Sequence, residues 1–174
     1  MEQTLVILKP DTLQRGFAGE ILTRFERVGL KIIAMKMSNP DEAHYYHHYE
    51  TIGKMVSRRG EEQFKVQLGA MQEGPVIAMI LEGVEAVSLV RKLVGTTSTK
   101  EADPGTIRGD FAHASLEYVN KHGVALPTLI HASGDPAEAE QEIAHWFSKD
   151  DIHDNYQTVH EYFTQPKPGQ AKHK

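Results

Sequence analysis

"GPVIAMILEGVEAVSLVRKLVG", residues 74–95, is the stretch from which the fold can be read. Residues 74–83 open on Gly-Pro and then run apolar, rich in Val, Ile and Met, which makes them the strongest strand of the chain. From residue 84 the apolar side chains recur three and four apart. That is the period of an amphipathic helix, and Gly95 supplies its stop. Working outward, "QTLVILK" (3–9) reads as a short buried strand, and "LKIIAMKM" (30–37) as a second one with β-branched residues. Between them, residues 17–28 put Ile21, Leu22, Phe25 and Val28 on one helical face, closed by Gly29. Asn39 as cap, with Pro40 in the first turn, predicts a helix through "DEAHYYHHYE", and residues 60–72 predict another. Downstream, a strand is expected near His131. Asp135 caps a helix to Phe147, with Pro136 at its first position, Glu138 three residues after the cap, and Ala139, Ile143, Trp146 and Phe147 facing inward.

The order is β-α-β-α-α-β-α-loop-β-α. At coarse grain this is βαββαβ with added helices, the split-βαβ or ferredoxin-like pattern: an α+β sandwich with an antiparallel four-stranded sheet covered by helices. With 174 residues, a single domain over 1–163 is the natural expectation. Residues 164–174, "TQPKPGQAKHK", read as a polar, basic tail.

Composition narrows the function. Hydrophobic content of 40% and charged content of 25% fit a soluble globular protein. A net charge of −5 argues against a chain built to hold nucleic acid or an anionic membrane, while leaving room for a local basic pocket. No cysteine is present, which excludes disulfides, thiolate metal sites and cysteine nucleophiles and suits a reducing cytoplasm. No secretory signal is visible in "MEQTLVILKPD", and no apolar run approaches membrane-spanning length.

Several residues could carry chemistry. The segment 95–110 is longer than an ordinary loop and offers Thr96, Thr97, Thr106 and Arg108, with Arg91 on the helix before it. Hydroxyls and guanidinium groups suit phosphate oxygens. Lys9 stands where the first strand ends and can reach a pocket as a point charge. His131 ends a strand and is followed by Ala132, Ser133 and Gly134, which leave its imidazole uncrowded. Neutral imidazole is a good nucleophile near pH 7, and attack on a terminal phosphate gives a transferable phosphohistidine. One ring nitrogen must then attack while the other holds a proton fixed by a carboxylate. Glu142 and Glu138 are the candidates. His44, His47 and His48 have helical spacing but no H-E-x-x-H motif, and read as a solvated helix face. Neither a Walker A sequence, nor a Rossmann glycine fingerprint, nor a G-x-S-x-G motif occurs.

Four ordered blocks carry a resemblance. They are "LVILKPDTLQRGFAGEILTRFERVGLKIIAMKM", "GPVIAMILEG", "DPGTIRGDF" and "IHASGD…EAEQEIAHWF", and over residues 3–147 the chain resembles nucleoside diphosphate kinases. The resemblance implies a ferredoxin-like fold and a ping-pong phosphoryl transfer, in which a nucleoside triphosphate such as ATP, with Mg²⁺, phosphorylates a histidine and a diphosphate such as GDP takes the group. By that correspondence the active histidine is His131, the lysine Lys9 and the nearby tyrosine Tyr49. The triphosphate-binding residues are Arg91, Thr97 and Arg108, the serine is Ser133, and the glutamate orienting the imidazole is Glu142. The family's sugar-contacting asparagine falls on Thr128, and Phe64, with Leu68 behind it, is the best match for its base-stacking phenylalanine. Mg²⁺ would be held mainly by the phosphates, with no dedicated protein ligands. A homohexamer is expected over a tetramer. Two segments are longer than usual in the family, 54–63 and 113–126; the second would cover the nucleotide, alter subunit packing, or be a tolerated surface insertion. The rival readings are a catalytically weak nucleotide-binding regulator and a nucleic-acid-binding protein, which the acidic balance disfavours.

Overall fold

The computed structural model describes residues 1–164. Apart from Thr164, the tail read from sequence lies outside the described residues. The chain runs β1 (Glu2–Leu8), α1 (Pro10–Gln14), α2 (Ala18–Arg27), β2 (Lys31–Ser38), α3 (Glu42–Tyr46), α4 (Met55–Arg59), α5 (Glu61–Met71), β3 (Val76–Gly83), α6 (Ala86–Val94), α7 (Ile107–Phe111), α8 (Leu116–His122), β4 (Ile130–Ala132), α9 (Pro136–Trp146) and α10 (Val159–Thr164). The four strands form one antiparallel sheet in the order β2-β3-β1-β4, the expected α+β arrangement.

Both faces of the sheet are covered, and strand alternation divides the core. Leu5, Ile7, Ala78 and Ile80 point to one side, where they pack with Tyr45, Phe64, Met71 and Trp146. Val6, Leu8, Met79 and Leu81 point to the other, against Ile21, Phe25, Val90 and Ile107. Each such aliphatic side chain, removed fully from water, contributes about 1.5–3 kcal/mol. β1 and β3 are therefore apolar on both faces, which is why 74–83 reads as an unbroken run rather than an alternating one.

Local chemistry sets the boundaries. Gly95 (φ 84°) ends α6, and its left-handed backbone suits glycine. Asp135 caps α9 by accepting from the Glu138 amide at 2.9 Å. Three readings need correction. Asp41, not Asn39, caps α3, accepting from the His44 amide at 2.9 Å, so Pro40 precedes the helix instead of opening it. The segment 95–110 is not irregular throughout: Thr106 caps the short helix α7, accepting from the Gly109 amide at 3.1 Å. The lengthened segments 54–63 and 113–126 contain the short helices α4 and α8, the latter capped by Ser115. Among the described residues, no helix is long and apolar enough to cross a membrane.

Candidate active site

His131 sits on β4, paired with Ile7 of β1. The turn that delivers it is strained. Leu129 adopts a left-handed backbone (φ 63°) that a bulky side chain disfavours, at a cost of about 1–3 kcal/mol. The start of α1 compensates. Asp11 Oδ2 accepts from the Leu129 amide at 3.0 Å, while the Leu129 carbonyl accepts from the Lys9 amide at 2.9 Å and from the Thr12 hydroxyl.

The carboxylate partner is Glu142, on α9 and 1% exposed. Its Oε1 lies 2.7 Å from His131 Nε2. The contact is close but off the angle of a hydrogen bond, and a proton on Nε2 is the arrangement that avoids two lone pairs facing each other at that distance. Nδ1 is then the nitrogen with a free lone pair. Glu142 Oε2 accepts from the Ser133 hydroxyl at 2.6 Å, and Ser133 Oγ accepts from the Leu5 amide at 3.2 Å. Glu138, the other candidate from sequence, is occupied elsewhere: it accepts from the Gly134 amide at 2.8 Å and lies 3.8 Å from Arg58.

His48 is a residue that the sequence reading misplaced. It is 1% exposed, not solvated, and its ring meets that of His131 edge-on with centroids 4.5 Å apart. The cause is the backbone after α3, where residues His47–Ile52 form a single π-helical stretch. The wider turn brings both His48 and Tyr49 inward, where regular spacing would separate them. Trp146 Nε1 donates to His48 Nδ1 at 3.2 Å. An indole N–H only donates, so His48 keeps its proton on Nε2. Burial holds the imidazole neutral, with its pKa well below the ordinary value. His48, His131 and Glu142 offer ligand atoms within 4.8 Å of one another, a possible metal donor set. Two of the lone pairs a metal would need are already engaged, by the Trp146 N–H and by the proton on His131 Nε2. Tyr49 is also buried, its hydroxyl accepting from Gln67 at 3.4 Å, and burial raises its pKa far above the usual phenol value.

A cavity of about 490 Å³ opens over His131, within the size range of small-molecule sites. Lys9, Arg91, Thr97, Arg108 and Thr128 line it, so these sequence-predicted residues are brought together around the imidazole. Arg108 is anchored by three backbone carbonyls, those of Thr128 (3.2 Å), Gly95 (3.0 Å) and Ile130 (2.7 Å). Burial, reinforced by Arg91 and Arg59, lowers its pKa to about 10. Lys9 donates to Thr128 Oγ1 at 2.6 Å. Desolvation lowers the Lys9 pKa to about 7, with Asp11 opposing the shift and Arg108 and Arg59 adding to it. A basic pocket thus exists in a protein of net charge −5.

Phe64 is not brought to this cavity. It is 6% exposed, lies in the core and meets Tyr46 edge-on at 5.6 Å, with Leu68 buried one turn on. Phe64, Leu68 and Met71 of α5 turn to the core, and Gln63, Val66 and Gln67 form its cavity side. Other lining residues lie in the lengthened segments: Arg58 and Arg59 in the first, Leu116, Ala125 and Leu126 in the second. The adjacent arginines before Gly60 were the available signal for the first; the second carries none beyond its length.

Comparison with known proteins places the chain in a family. The family model for nucleoside diphosphate kinase matches residues 2–152. A nucleoside diphosphate kinase of Borreliella burgdorferi is 42% identical over 152 residues, covering 87% of this chain and 90% of the relative. One from Pyrococcus furiosus is 39% identical over 172 residues, covering 99% and 98%. Among solved structures, a transition-state mimic of the Borrelia burgdorferi enzyme with bound vanadate and ADP superposes with a TM-score of 0.88 at 42% identity, covering 92% of this chain and 94% of that one. The Pyrobaculum aerophilum NDP kinase gives 0.79 at 35% identity, covering 87% and 98%. With a family model spanning nearly the whole described fold and relatives aligned over most of both chains, this chain belongs to the nucleoside diphosphate kinase family.

Proposed function

We propose that the protein transfers the γ-phosphate of a nucleoside triphosphate to a nucleoside diphosphate by a ping-pong route through His131. The observation that carries the reading is the position of Glu142 Oε1, 2.7 Å from His131 Nε2, which favours the ring proton on that nitrogen and leaves the Nδ1 lone pair for the cavity. Nδ1 attacks the γ-phosphorus, and the bond from that phosphorus to the bridging oxygen breaks. The electron pair leaves with the diphosphate. The new P–N bond would put positive charge on the ring, and Glu142 stabilises it without a proton having to move. A second diphosphate reverses the step.

Positioning and charge do the rest. Arg91, Arg108 and Lys9 bind the phosphate oxygens, Thr97 donates its hydroxyl, and Tyr49 presents a neutral phenol beside the imidazole. Ser133 acts through Glu142, as a positioning residue. Thr128 takes the sugar-contacting position, with its hydroxyl already shared with Lys9. Mg²⁺ fits as a cation carried by the nucleotide. The lining carboxylates are engaged: Glu142 with Ser133, Glu138 with the Gly134 amide, and Asp135 with the Glu138 amide. When bound, the ion neutralises charge on the phosphate oxygens. The exposed Met35 and Met37 on edge strand β2 suit pairing with a second copy; a homohexamer, rather than a tetramer, is the assembly proposed. The lack of cysteine suits work in the cytoplasm.

The test is incubation with γ-labelled ATP and no acceptor, followed by a GDP chase. Wild type acquires an acid-labile, base-stable label and releases it as GTP, and His131→Ala acquires none. A protein that binds ATP yet never labels would instead be a nucleotide-binding regulator.

A further inference from the structure

We propose that Arg59 is a further phosphate-binding residue of this site, its guanidinium binding the terminal phosphate of a nucleoside triphosphate. The inference rests on the kinase reading and gives the lengthened segment 54–63 a role in it.

Arg59 lines the same cavity as Lys9, Arg91 and Arg108. Its neighbour Arg58 is occupied: it donates to the Gly53 carbonyl at 3.1 Å and lies 3.8 Å from Glu138, which ties α4 to the helix that follows His131. Arg59 itself has no hydrogen bond or ion pair among the described residues. The helix that carries it is bracketed by two left-handed residues, Lys54 (φ 49°) and Gly60 (φ 89°). Lys54 pays a backbone cost of about 1 kcal/mol or more for that turn, so α4 is set at this angle against local preference.

Charge balance supplies the chemistry. Five lysines and arginines line the cavity against three carboxylates, Asp135, Glu138 and Glu142. Those carboxylates are engaged on the His131 side, so Lys9, Arg59, Arg91 and Arg108 face the cavity without a counter-ion among the lining side chains. The position of Arg59 along the ligand follows from its neighbour: Arg58 lies 3.8 Å from Glu138, whose carboxylate accepts from the amide of Gly134, three residues after His131. Lys9 and Arg108 both hydrogen-bond to Thr128, three residues before the nucleophile. Both have their proton affinity reduced by the field of Arg59. Arg59 therefore adds its charge at the reacting end, where a terminal phosphate carries most of its negative charge and where a planar fork can take two oxygens.

The experiment is calorimetric binding of β,γ-methylene ATP, which cannot be transferred, and of AMP. The proteins are wild type, Arg59→Gln, Arg59→Lys and Lys65→Gln. Lys65 pairs with Glu61 on the exposed side of α5 and controls for loss of charge alone. Losing a charge-assisted hydrogen bond weakens binding about tenfold or more. Arg59→Gln should weaken the triphosphate analogue by that factor, Arg59→Lys should recover part of it, and AMP affinity should be unchanged throughout. Arg59 is exposed and unpaired, so its variants fold. Equal affinities for Arg59→Gln and Lys65→Gln, or a loss shared by AMP, would overturn the proposal. Wild type that binds the analogue but fails to transfer phosphate from ATP would sink the kinase reading alone.

Discussion

Replacing Ser133 with alanine removes one oxygen and should destabilise the protein by about 3 kcal/mol. Ser133 is fully buried, and Glu142 is 1% exposed. The Ser133 hydroxyl donates to Glu142 Oε2 at 2.6 Å and accepts from the Leu5 amide at 3.2 Å. Alanine leaves a buried carboxylate oxygen without its donor, and a hydrogen bond to a charged group is worth about 1.5–3 kcal/mol. It also leaves a buried amide without its acceptor, a further cost of about 1–3 kcal/mol. The two losses share one atom and will not add fully, so the lower part of the combined range is expected. Urea denaturation at a fixed protein concentration reads the difference, since association contributes to apparent stability. The midpoint should fall with an unchanged m-value. Combining Ser133→Ala with Glu142→Gln should give a coupling energy of about 1 kcal/mol or more. A loss under about 0.5 kcal/mol, or strict additivity, would refute the idea that Ser133 and Glu142 act as one unit.

Other outcomes follow from the same structure. Lys9, lowered to about 7, is charged below that pH and neutral above it, so kcat/KM for ATP should fall as pH rises through about 7. A Lys9→Met variant should lose that limb, and a wild-type profile with no change between about pH 6 and 9 would contradict the assignment. Trp146→Phe strips the donor from buried His48 Nδ1 and should destabilise by about 1–3 kcal/mol in the same urea assay. Lys31, 3% exposed, donates to the Asp154 carbonyl at 2.8 Å and pairs with Glu161 at 3.4 Å and Glu82 at 3.7 Å. Lys31→Met should speed proteolysis within residues 153–164 and lower stability by about 3 kcal/mol.

What could be read from sequence was what local chemistry determines. The strand at 74–83, the Gly95 stop and the Asp135 cap each declare themselves within a few residues. α4 and α7 have five residues and α8 has seven, too few for a 3.6-residue period to emerge. Regular helical spacing puts His48 on a wet face, and the π-helical stretch breaks that spacing. The correspondence of Phe64 with a base-stacking position crosses a segment of altered length, where register is least determined. Its burial follows from its place beside Leu68 on the apolar face of α5. The grouping of Lys9 with Thr128 spans 119 positions and comes from the pairing of β1 with β4, which no local pattern encodes. The choice between Glu142 and Glu138 likewise needed three dimensions, because both lie on α9 and only their partners separate them.

The central claim is that His131 reacts through Nδ1 because Glu142 holds the proton on Nε2. Phosphorus–nitrogen couplings read from ³¹P and ¹⁵N NMR of ¹⁵N-histidine-labelled protein, phosphorylated by ATP, test it most directly. The account predicts one phosphoramidate, on Nδ1 of His131. Coupling to Nε2, or a phosphate on any other residue, would contradict it.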